Sequence, residues 1–378
     1  MIPVNEPLLG AREKALLAEC IDTGWVSSDG PFVAEFERRF AAYLGAAEAV
    51  TVCNGTAALE TALWAAGIQP GDEVILPSFT IVSCLVAVLR LGAVPVLVDV
   101  DPETWGMDAG QVAARLTPRT RAVMPVHMYG HPVDMDPIME LAEHHGLRVI
   151  EDAAEVHGAE YKGRKCGTLG HVSAWSFYAN KIINTGEGGM VVTSDPEIAS
   201  RARSYRNLCF QPGRRFLHEE FGYNFRMTNL QAALGVAQME RIEEFVAIKR
   251  RLGEAYRAAL AGLPLNCQIE RTWAKCVYWM YCIELREESG WTADDFRDAL
   301  GKRGIGTRPF FLGLHEQPAA HRLNLFRGER YPVTERIARQ GLYLPSGLTL
   351  RESQVLEVAA AVKDLLQMPS PRLSGSRA

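Results

Sequence analysis

Residues 148–193 read RVIEDAAEVHGAEYKGRKCGTLGHVSAWSFYANKIINTGEGGMVVT. Three short apolar runs stand out in this stretch, at Arg148–Asp152, Ala174–Phe177 and Met190–Thr193. Runs of this length, rich in Val, Ile, Phe and Trp and separated by glycine-rich segments, predict β-strands. Their apolar residues are consecutive rather than alternating, as at Val149-Ile150 and Met190-Val191-Val192, which is typical of strands that are covered on both faces.

The same pattern extends toward the N-terminus. An amphipathic stretch at Met135–His145 predicts a helix before the first of these strands. The upstream runs that also predict strands are Val74–Leu76, Val96–Val100 and Ala122–His127. Strands alternating with helices predict an α/β domain with a largely parallel sheet. Ligands of such sheets bind outside the carboxyl ends of the strands.

A long helix is predicted after Met227. Thr228 and Gln231 fit a capping box, with Thr228 as the N-cap and Gln231 reaching back to it. The apolar positions that follow predict one continuous helix that ends near Gly262.

The rest of the chain predicts a smaller unit. Its expected elements are a strand at Val277–Leu285 and helices at Thr292–Lys302 and Arg351–Leu366. We therefore expect a large α/β domain at 1–245 and a small C-terminal α/β domain at 246–368. Residues 369–378 are rich in Ser, Pro and Arg and predict a disordered tail.

Composition excludes several classes of protein. The chain of 378 residues is 48% hydrophobic and 22% charged, as in folded globular proteins. Its net charge of −5 argues against binding to nucleic acid. The cysteines form no CxxC pair, so we expect neither a metal site nor disulfides. The N-terminus has no signal-peptide pattern and no apolar stretch is long enough to span a membrane, which favours a cytoplasmic protein without membrane contact.

A turn at Asn54-Gly55-Thr56 opens an alanine-rich stretch that predicts a helix. Free backbone N–H groups and the helix dipole at such a turn suit a phosphate. The alternative is a buried helix that Thr56 merely caps, and the turn taken alone favours this alternative.

A carboxylate and a lysine follow the predicted strands. Asp152 ends one strand, where it can pair with a cationic ring nitrogen or a metal, or simply cap the next helix. Lys181 lies between another strand and the glycine-rich turn Gly186–Gly189. A lysine desolvated against a sheet edge can act as an amine nucleophile, whereas an ordinary lysine is solvated. The combination with Asp152 and the phosphate turn favours the nucleophile.

Lysine, carboxylate and phosphate turn together match the protein side of pyridoxal-phosphate chemistry. Here the chain resembles the DegT-type sugar aminotransferases, which depend on pyridoxal phosphate. The resemblance extends from Ile2 to about Leu366. The motifs that carry it are Asn54-Gly55-Thr56, Glu151-Asp152-Ala153-Ala154, Ser176-Phe177, Lys181 and Gly186-Glu187-Gly188-Gly189.

The resemblance implies a fold and a set of roles. The fold is type I of the pyridoxal-phosphate enzymes, with a mostly parallel seven-stranded sheet. Lys181 would form the Schiff base with pyridoxal 5′-phosphate and carry protons, and Asp152 would bind the pyridinium nitrogen. Gly55, Thr56 and Ser176 would hold the phosphate. Relatives that act as dehydratases have histidine in place of this lysine, so Lys181 favours a transaminase.

Two positions depart from the family pattern. Glu155 replaces a glutamine that faces the phenolic oxygen of the cofactor in most members. Ile81 replaces an aromatic residue that stacks on the pyridine ring. Ile81 can still pack on the ring face, without the quadrupole contribution of an aromatic pair. Phe79 is a possible substitute.

Substrate residues are also implied by the resemblance. Trp25, in the loop 22–30, and the segment with Arg308 and His315 resemble members that aminate C4 of GDP-4-keto-6-deoxymannose. Arg308 would attract a diphosphate or a donor carboxylate, and His315 would contact the sugar. The alternatives are a structural salt bridge for Arg308 and a surface histidine for His315. L-Glutamate is the expected amino donor.

Residues 222–229 match a family loop that crosses into a neighbouring subunit. Asn224 would then contact the partner's cofactor phosphate, so we expect a homodimer with shared active sites. The alternative is an ordinary loop in which Asn224 forms a local turn. Two other functions stay open, namely amination of a free keto-cyclitol and a regulator that binds pyridoxal phosphate without catalysis.

Overall fold

A seven-stranded sheet organises the larger part of the molecule, and six of its strands are those predicted from the sequence. The computed structural model describes residues 1–211, 213–214 and 216–368. The strands found there are β1 Glu48–Val52, β2 Glu73–Pro77, β3 Val94–Val98, β4 Thr120–Val123, β5 Arg148–Asp152, β6 Glu160–Tyr161, β7 Arg164–Lys165, β8 Val172–Ser176, β9 Gly189–Thr193, β10 Leu265–Cys267, β11 Ala274–Lys275, β12 Tyr281–Leu285, β13 Arg308–Pro309 and β14 Gly341–Leu344. The helices are α1 Ala11–Thr23, α2 Pro31–Leu44, α3 Gly55–Ala65, α4 Val82–Arg90, α5 Ala109–Ala114, α6 Met135–His145, α7 Pro196–Tyr205, α8 Asn229–Met239, α9 Ile242–Ala259, α10 Ala293–Lys302, α11 Pro318–Arg322, α12 Pro332–Gln340 and α13 Glu352–Gln367.

The large sheet has the strand order β1-β9-β8-β5-β4-β2-β3. Five neighbouring strands, from β3 to β8, are parallel, whereas β9 is antiparallel to both of its neighbours. The register places Asp152 opposite Ala174 and Ser176 opposite Gly189. The predicted fold class is therefore confirmed. The edge strand β1 was not predicted.

Helices cover this sheet with the apolar faces that their sequences encode. The predicted helix at Met135–His145 is confirmed as α6. It buries Met135, Ile138 and Ala142, which lie on one side of a helix of 3.6 residues per turn. The alanine-rich α3 is almost entirely buried and lies against β8 and β9, because its small side chains allow close approach.

The prediction of a single long helix after Met227 is wrong, because two helices are found there. Thr228 does cap α8 with the predicted capping box. However, α8 ends at Met239, and Arg241 has φ −123° and ψ 9°, outside the helical range, before α9 begins. No glycine or proline stands at the break, so helix propensity could not locate it.

A four-stranded antiparallel sheet, in the order β10-β12-β14-β13, organises the smaller unit. Leu252 of α9 belongs to its hydrophobic cluster, whereas Val246 of the same helix belongs to the main core, so α9 spans both clusters. The domain boundary near 245 stays a prediction. The strand expected at Val277–Leu285 begins only at Tyr281, because Tyr278 adopts a left-handed conformation with φ 47°. The predicted tail, 369–378, lies outside the described residues.

Two further features concern the environment of the chain. In the part that the structure describes, no helix has both the length and the apolar character needed to cross a membrane. All eight cysteines are free thiols.

Candidate active site

A cavity of about 730 Å³ opens at the carboxyl ends of the central strands, where the α/β topology predicts a ligand site. Asp152 is the last residue of β5 and Ser176 is the last residue of β8. Both side chains line the cavity, together with Lys181 from the loop after β8. Asp152 thus meets Ser176 and Lys181, which lie further along the chain, because β5 and β8 are neighbouring strands.

The N-terminus of α3 forms one end of the cavity. The side chain of Asn54 accepts a hydrogen bond from the backbone N–H of Ala57 at 2.9 Å and so caps the helix. Thr56 is therefore not the cap, and its hydroxyl lies 2.9 Å from that of Ser83. The alternative interpretation, in which Thr56 serves only as the helix cap, is therefore wrong.

Gly55 brings this helix end close to β8. A Cβ atom on Gly55 would lie 2.8 Å from Cβ of Ser176, which is too close for a real contact. The hydroxyls of Thr56 and Ser176 thus lie beside free N–H groups at the positive end of a helix dipole. Such a cradle can hold a phosphate.

Asp152 is buried and held at both of its oxygens. Oδ1 accepts a hydrogen bond from the backbone N–H of Ala154 at 3.0 Å, and Oδ2 accepts one from the thiol of Cys84 at 3.1 Å. Burial raises the pKa of the Cys84 thiol well above its usual range, so the sulfur keeps the proton that it donates. Asp152 caps no helix, and its carboxylate remains available to a cationic partner in the cavity.

Lys181 is not a solvated lysine, since its side chain is only 9% exposed. Its Nζ lies 3.6 Å from Oε1 of Glu155 and 3.8 Å from the ring centroid of Trp279. Oε2 of Glu155 accepts a hydrogen bond from the backbone N–H of Tyr129 at 2.8 Å. Burial lowers the pKa of Lys181 and raises the pKa of Glu155 to about 7. Both shifts favour the neutral forms, as a nucleophilic amine requires.

Ile81 lies in the cavity wall, where its side chain is 43% exposed at the N-cap of α4. Phe79 does not substitute for it. Phe79 is fully buried and packs against the rings of Tyr129, Phe310 and Phe311, away from the cavity. Ile81 is therefore the residue that can cover a ring bound above Asp152.

The two residues expected in the small domain lie in different environments. Arg308 is exposed, lies opposite Tyr343 in the register of β13 and β14, and lines the cavity. His315 is buried behind the cavity wall. Its Nδ1 lies 2.7 Å from the hydroxyl of Ser78 and its Nε2 lies 3.4 Å from Glu335. The structure therefore does not bring His315 to the cavity, and its contact with the sugar stays a prediction.

Trp25 and Asn224 lie outside the cavity of their own chain. Trp25 is 48% exposed, and its carbonyl accepts a hydrogen bond from the side chain of Asn229. Asn224 is exposed and forms a bridge to Asn207, while the next residue, Phe225, lines the cavity. The structure does not bring Trp25 to Lys181.

Several cavity residues were not predicted from the sequence. The clearest is Trp279, which is buried below Lys181 and belongs to no motif. Cys84 is another, since only the fold places its thiol against Asp152. Other lining residues that were not predicted are Arg90, Tyr178, Asn180, Glu187 and Phe311. Tyr178, Asn180 and Glu187 are sequence neighbours of the quoted motifs, whereas Arg90 and Phe311 reach the cavity only through contacts that are distant in sequence.

These residues fit pyridoxal phosphate. The cradle at Gly55 offers the hydroxyls and N–H groups that a phosphate needs, and a Cβ there would fill it. Asp152 offers a buried carboxylate for a protonated ring nitrogen, and Ile81 offers an apolar face. Lys181 offers a buried amine for the aldehyde.

Comparison with known proteins supports this interpretation. The model of the DegT/DnrJ/EryC1/StrS aminotransferase family matches residues 7–363. The chain is 44% identical over 368 residues to GDP-perosamine synthase of Caulobacter vibrioides, covering 97% of this chain and 98% of that protein. It is 40% identical over 364 residues to GDP-perosamine synthase of Vibrio cholerae, covering 96% and 99%.

A solved structure shares the fold at similar identity. The crystal structure of DesV from S. venezuelae in complex with a ketimine intermediate superposes with a TM-score of 0.89. The two sequences are 37% identical, and the match covers 95% of each chain. On these grounds the chain belongs to the DegT/DnrJ/EryC1/StrS aminotransferase family and is a sugar aminotransferase whose cofactor is pyridoxal 5′-phosphate.

Proposed function

We propose that this enzyme transfers the amino group of L-glutamate to C4 of a GDP-linked 4-keto-6-deoxy sugar. The observation that carries the proposal is the cavity in which the amine of Lys181 lies between two carboxylates and an anion cradle, with Arg308 in the wall. The name GDP-perosamine synthase, borne by two relatives at 44% and 40% identity, supports this substrate class.

The roles of the cofactor-binding residues follow from their positions. Pyridoxal phosphate, when bound, supplies a carbonyl carbon that accepts amines and a ring that takes up electron density. Asp152 keeps the ring nitrogen protonated, because a buried carboxylate favours a positive charge beside it. Gly55, Thr56 and Ser176 hold the phosphate, and Ile81 packs on the ring.

Lys181 and Glu155 control the proton. With a lowered pKa, the amine of Lys181 can take a proton from a carbon atom above it and return it to another. Glu155 lies 3.6 Å away and has a pKa of about 7, so it can be neutral beside a phenolic oxygen as well as charged beside an ammonium. The glutamate that replaces the usual glutamine is thereby compatible with the cofactor.

Arg308 anchors the nucleotide in this proposal. It is a cation on the small-domain side of the cavity, and a diphosphate can form charge-assisted hydrogen bonds with it. An anchored diphosphate supplies binding energy that orients the ketone over Lys181, so a free sugar loses turnover as well as affinity.

A homodimer completes the site in this proposal. The segment before Asn224 exposes the apolar side chains of Phe216 and Phe221, which are 85% and 87% exposed. Large apolar side chains this exposed are typical of surfaces that pack against a partner. Asn224 is itself exposed and free to reach the neighbour's phosphate cradle. An enzyme that stays monomeric and fully active at high dilution would exclude shared sites.

A cytoplasmic location is part of the same proposal. All eight cysteines are free and six of them are buried, as in proteins of a reducing compartment. Fractionation of the source cells, with activity recovered from a compartment outside the cytoplasm, would contradict it.

Turnover with a panel of acceptors tests the substrate class. We expect amination of GDP-linked 4-keto-6-deoxy sugar to exceed that of the dTDP-linked sugar, with L-glutamate as donor. A free keto-cyclitol serves as the competing acceptor. If the cyclitol reacts faster than every nucleotide sugar, the proposed substrate is wrong.

A further inference from the structure

The indole of Trp279 makes a contact with Lys181 that the proposed function does not use. Nζ of Lys181 lies 3.8 Å from the centroid of this ring, and Trp279 is only 3% exposed. A cation over an indole face is attracted by the ring quadrupole, and more strongly where water is excluded. The ring therefore favours the charged form of Lys181, whereas burial favours the neutral amine.

Trp279 is fixed in this position by its own polar groups. Its indole N–H donates a hydrogen bond to the carbonyl of Asn180 at 2.8 Å, next to Lys181 in sequence. Its carbonyl accepts one from Nζ of Lys249 at 2.8 Å, and this buried lysine also donates to the carbonyl of Ser346. The ring is thus tied to the loop of Lys181 and to the small domain.

The backbone before Trp279 has an unusual conformation that is enclosed by close packing. Tyr278 adopts φ 47°, a left-handed backbone conformation that residues other than glycine rarely take. A Cβ on Gly130 would lie 2.7 Å from the backbone nitrogen of Trp279, and a Cβ on Gly253 would lie 2.5 Å from the ring of Tyr278. Strain of this kind persists only where the surrounding packing enforces it.

We propose that Trp279 is a further active-site residue, whose ring holds the ammonium of Lys181 while this lysine is not bonded to the cofactor. The inference rests on the proposed function, because a transaminase releases and re-engages its lysine in every cycle. A released lysine has a flexible four-carbon chain, and a fixed ring keeps its nitrogen within reach of the reacting carbon.

The other groups that face Lys181 do not make the ring redundant. The groups that interact electrostatically with Lys181 are Glu155, Asp152, Cys84 and the buried His157. Burial lowers the pKa of His157 to about 3 and raises that of Cys84, so both are uncharged at neutral pH. Glu155 titrates near pH 7 and Asp152 is expected to pair with the cofactor. Trp279, unlike Glu155, has no group that titrates near neutral pH.

The test is the ammonium pKa of Lys181 in the full-length enzyme loaded with pyridoxamine phosphate, in which the lysine is free. Lysine labelled with ¹³C at Cε gives a signal for each of the eight lysines, and the Lys181 signal is the one missing in Lys181→Ala. Trp279→Leu removes the ring, and Trp279→Phe keeps a weaker one. Trp291→Leu is the matched control, since Trp291 is also buried but packs against Phe296 in the small domain.

We expect the pKa of Lys181 to fall by about one unit in Trp279→Leu and by less in Trp279→Phe, with no change in Trp291→Leu. If Trp279→Leu does not fold, the smaller fall in Trp279→Phe decides. A wild-type pKa in both Trp279 variants, or an equal shift in the control, overturns the proposal. The measurement needs no sugar, so a wrong acceptor assignment would leave this result unchanged and would show only in turnover.

Discussion

Adding one methyl group at Gly55 probes the anion cradle directly. Gly55 is the first residue of α3, so alanine suits its backbone and any effect comes from contacts. The new Cβ would lie 2.8 Å from Cβ and 3.4 Å from Cα of Ser176. Carbon atoms prefer about 3.6 Å, so the helix end must move away from β8 by roughly 0.8 Å.

The movement opens the space between the helix N-terminus and the hydroxyl of Ser176. Losing one hydrogen bond to a charged group costs about 1.5–3 kcal/mol. Gly55→Ala should therefore bind pyridoxal phosphate roughly 10- to 150-fold more weakly. Absorbance titration of the cofactor-depleted enzyme measures this dissociation constant.

Two controls separate the cradle from a general loss of structure. Gly301→Ala adds the same methyl group in α10 with no atom within 4 Å, and should bind the cofactor like the wild type. Pyridoxal without phosphate should bind Gly55→Ala and the wild-type enzyme about equally. If Gly55→Ala weakens both ligands alike, or neither, the assignment of the phosphate to this end of the cavity is refuted.

Three further predictions concern single side chains. Arg308→Ala should lower kcat/KM for the nucleotide sugar by about 10- to 150-fold, whereas Arg297→Ala, at a partly exposed arginine outside the cavity lining, should not change it. Glu151→Gln should lower the free energy of unfolding in urea by about 3–5 kcal/mol, because the buried carboxylate accepts hydrogen bonds from His127 and three backbone N–H groups. Burial raises the pKa of Glu151, but the hydrogen bonds lower it by more, so the net pKa is lowered. The contribution of Glu151 to the free energy of unfolding should therefore be lost as pH falls through that lowered pKa. The pKa of Glu155 is shifted in the opposite direction, to about 7, because the folded protein disfavours its charged form. Glu155→Gln should therefore raise the Tm of the cofactor-free enzyme at pH 8 more than at pH 5.

The sequence predicts the sheet well, because the signals of its strands are local. The apolar runs around Asp152 and Ser176 form strands where expected, and the capping box at Thr228 begins α8. Lys181 and Gly55 belong to the motifs that carry the family resemblance, and both line the cavity.

Features that depend on tertiary contacts could not be predicted from the sequence. The break at Arg241 has no proline or glycine to mark it, and the left-handed Tyr278 shortens a strand that its composition favours. Trp279 lies about a hundred residues from Lys181 in sequence, and only the packing of the small domain brings the two together. His315 lies outside the cavity lining, and the sequence cannot tell a buried histidine bonded to Ser78 from one that faces a ligand.

Lys181 as the attachment point of the cofactor is the central claim, and borohydride reduction of the holoenzyme tests it most directly. Reduction fixes the cofactor to the amine that holds it, and mass spectrometry of the digested protein then identifies that residue. We predict one labelled peptide, which contains Lys181, and no label in Lys181→Ala. Label on Lys249, the other buried lysine with a lowered pKa, or on any other lysine would contradict the account.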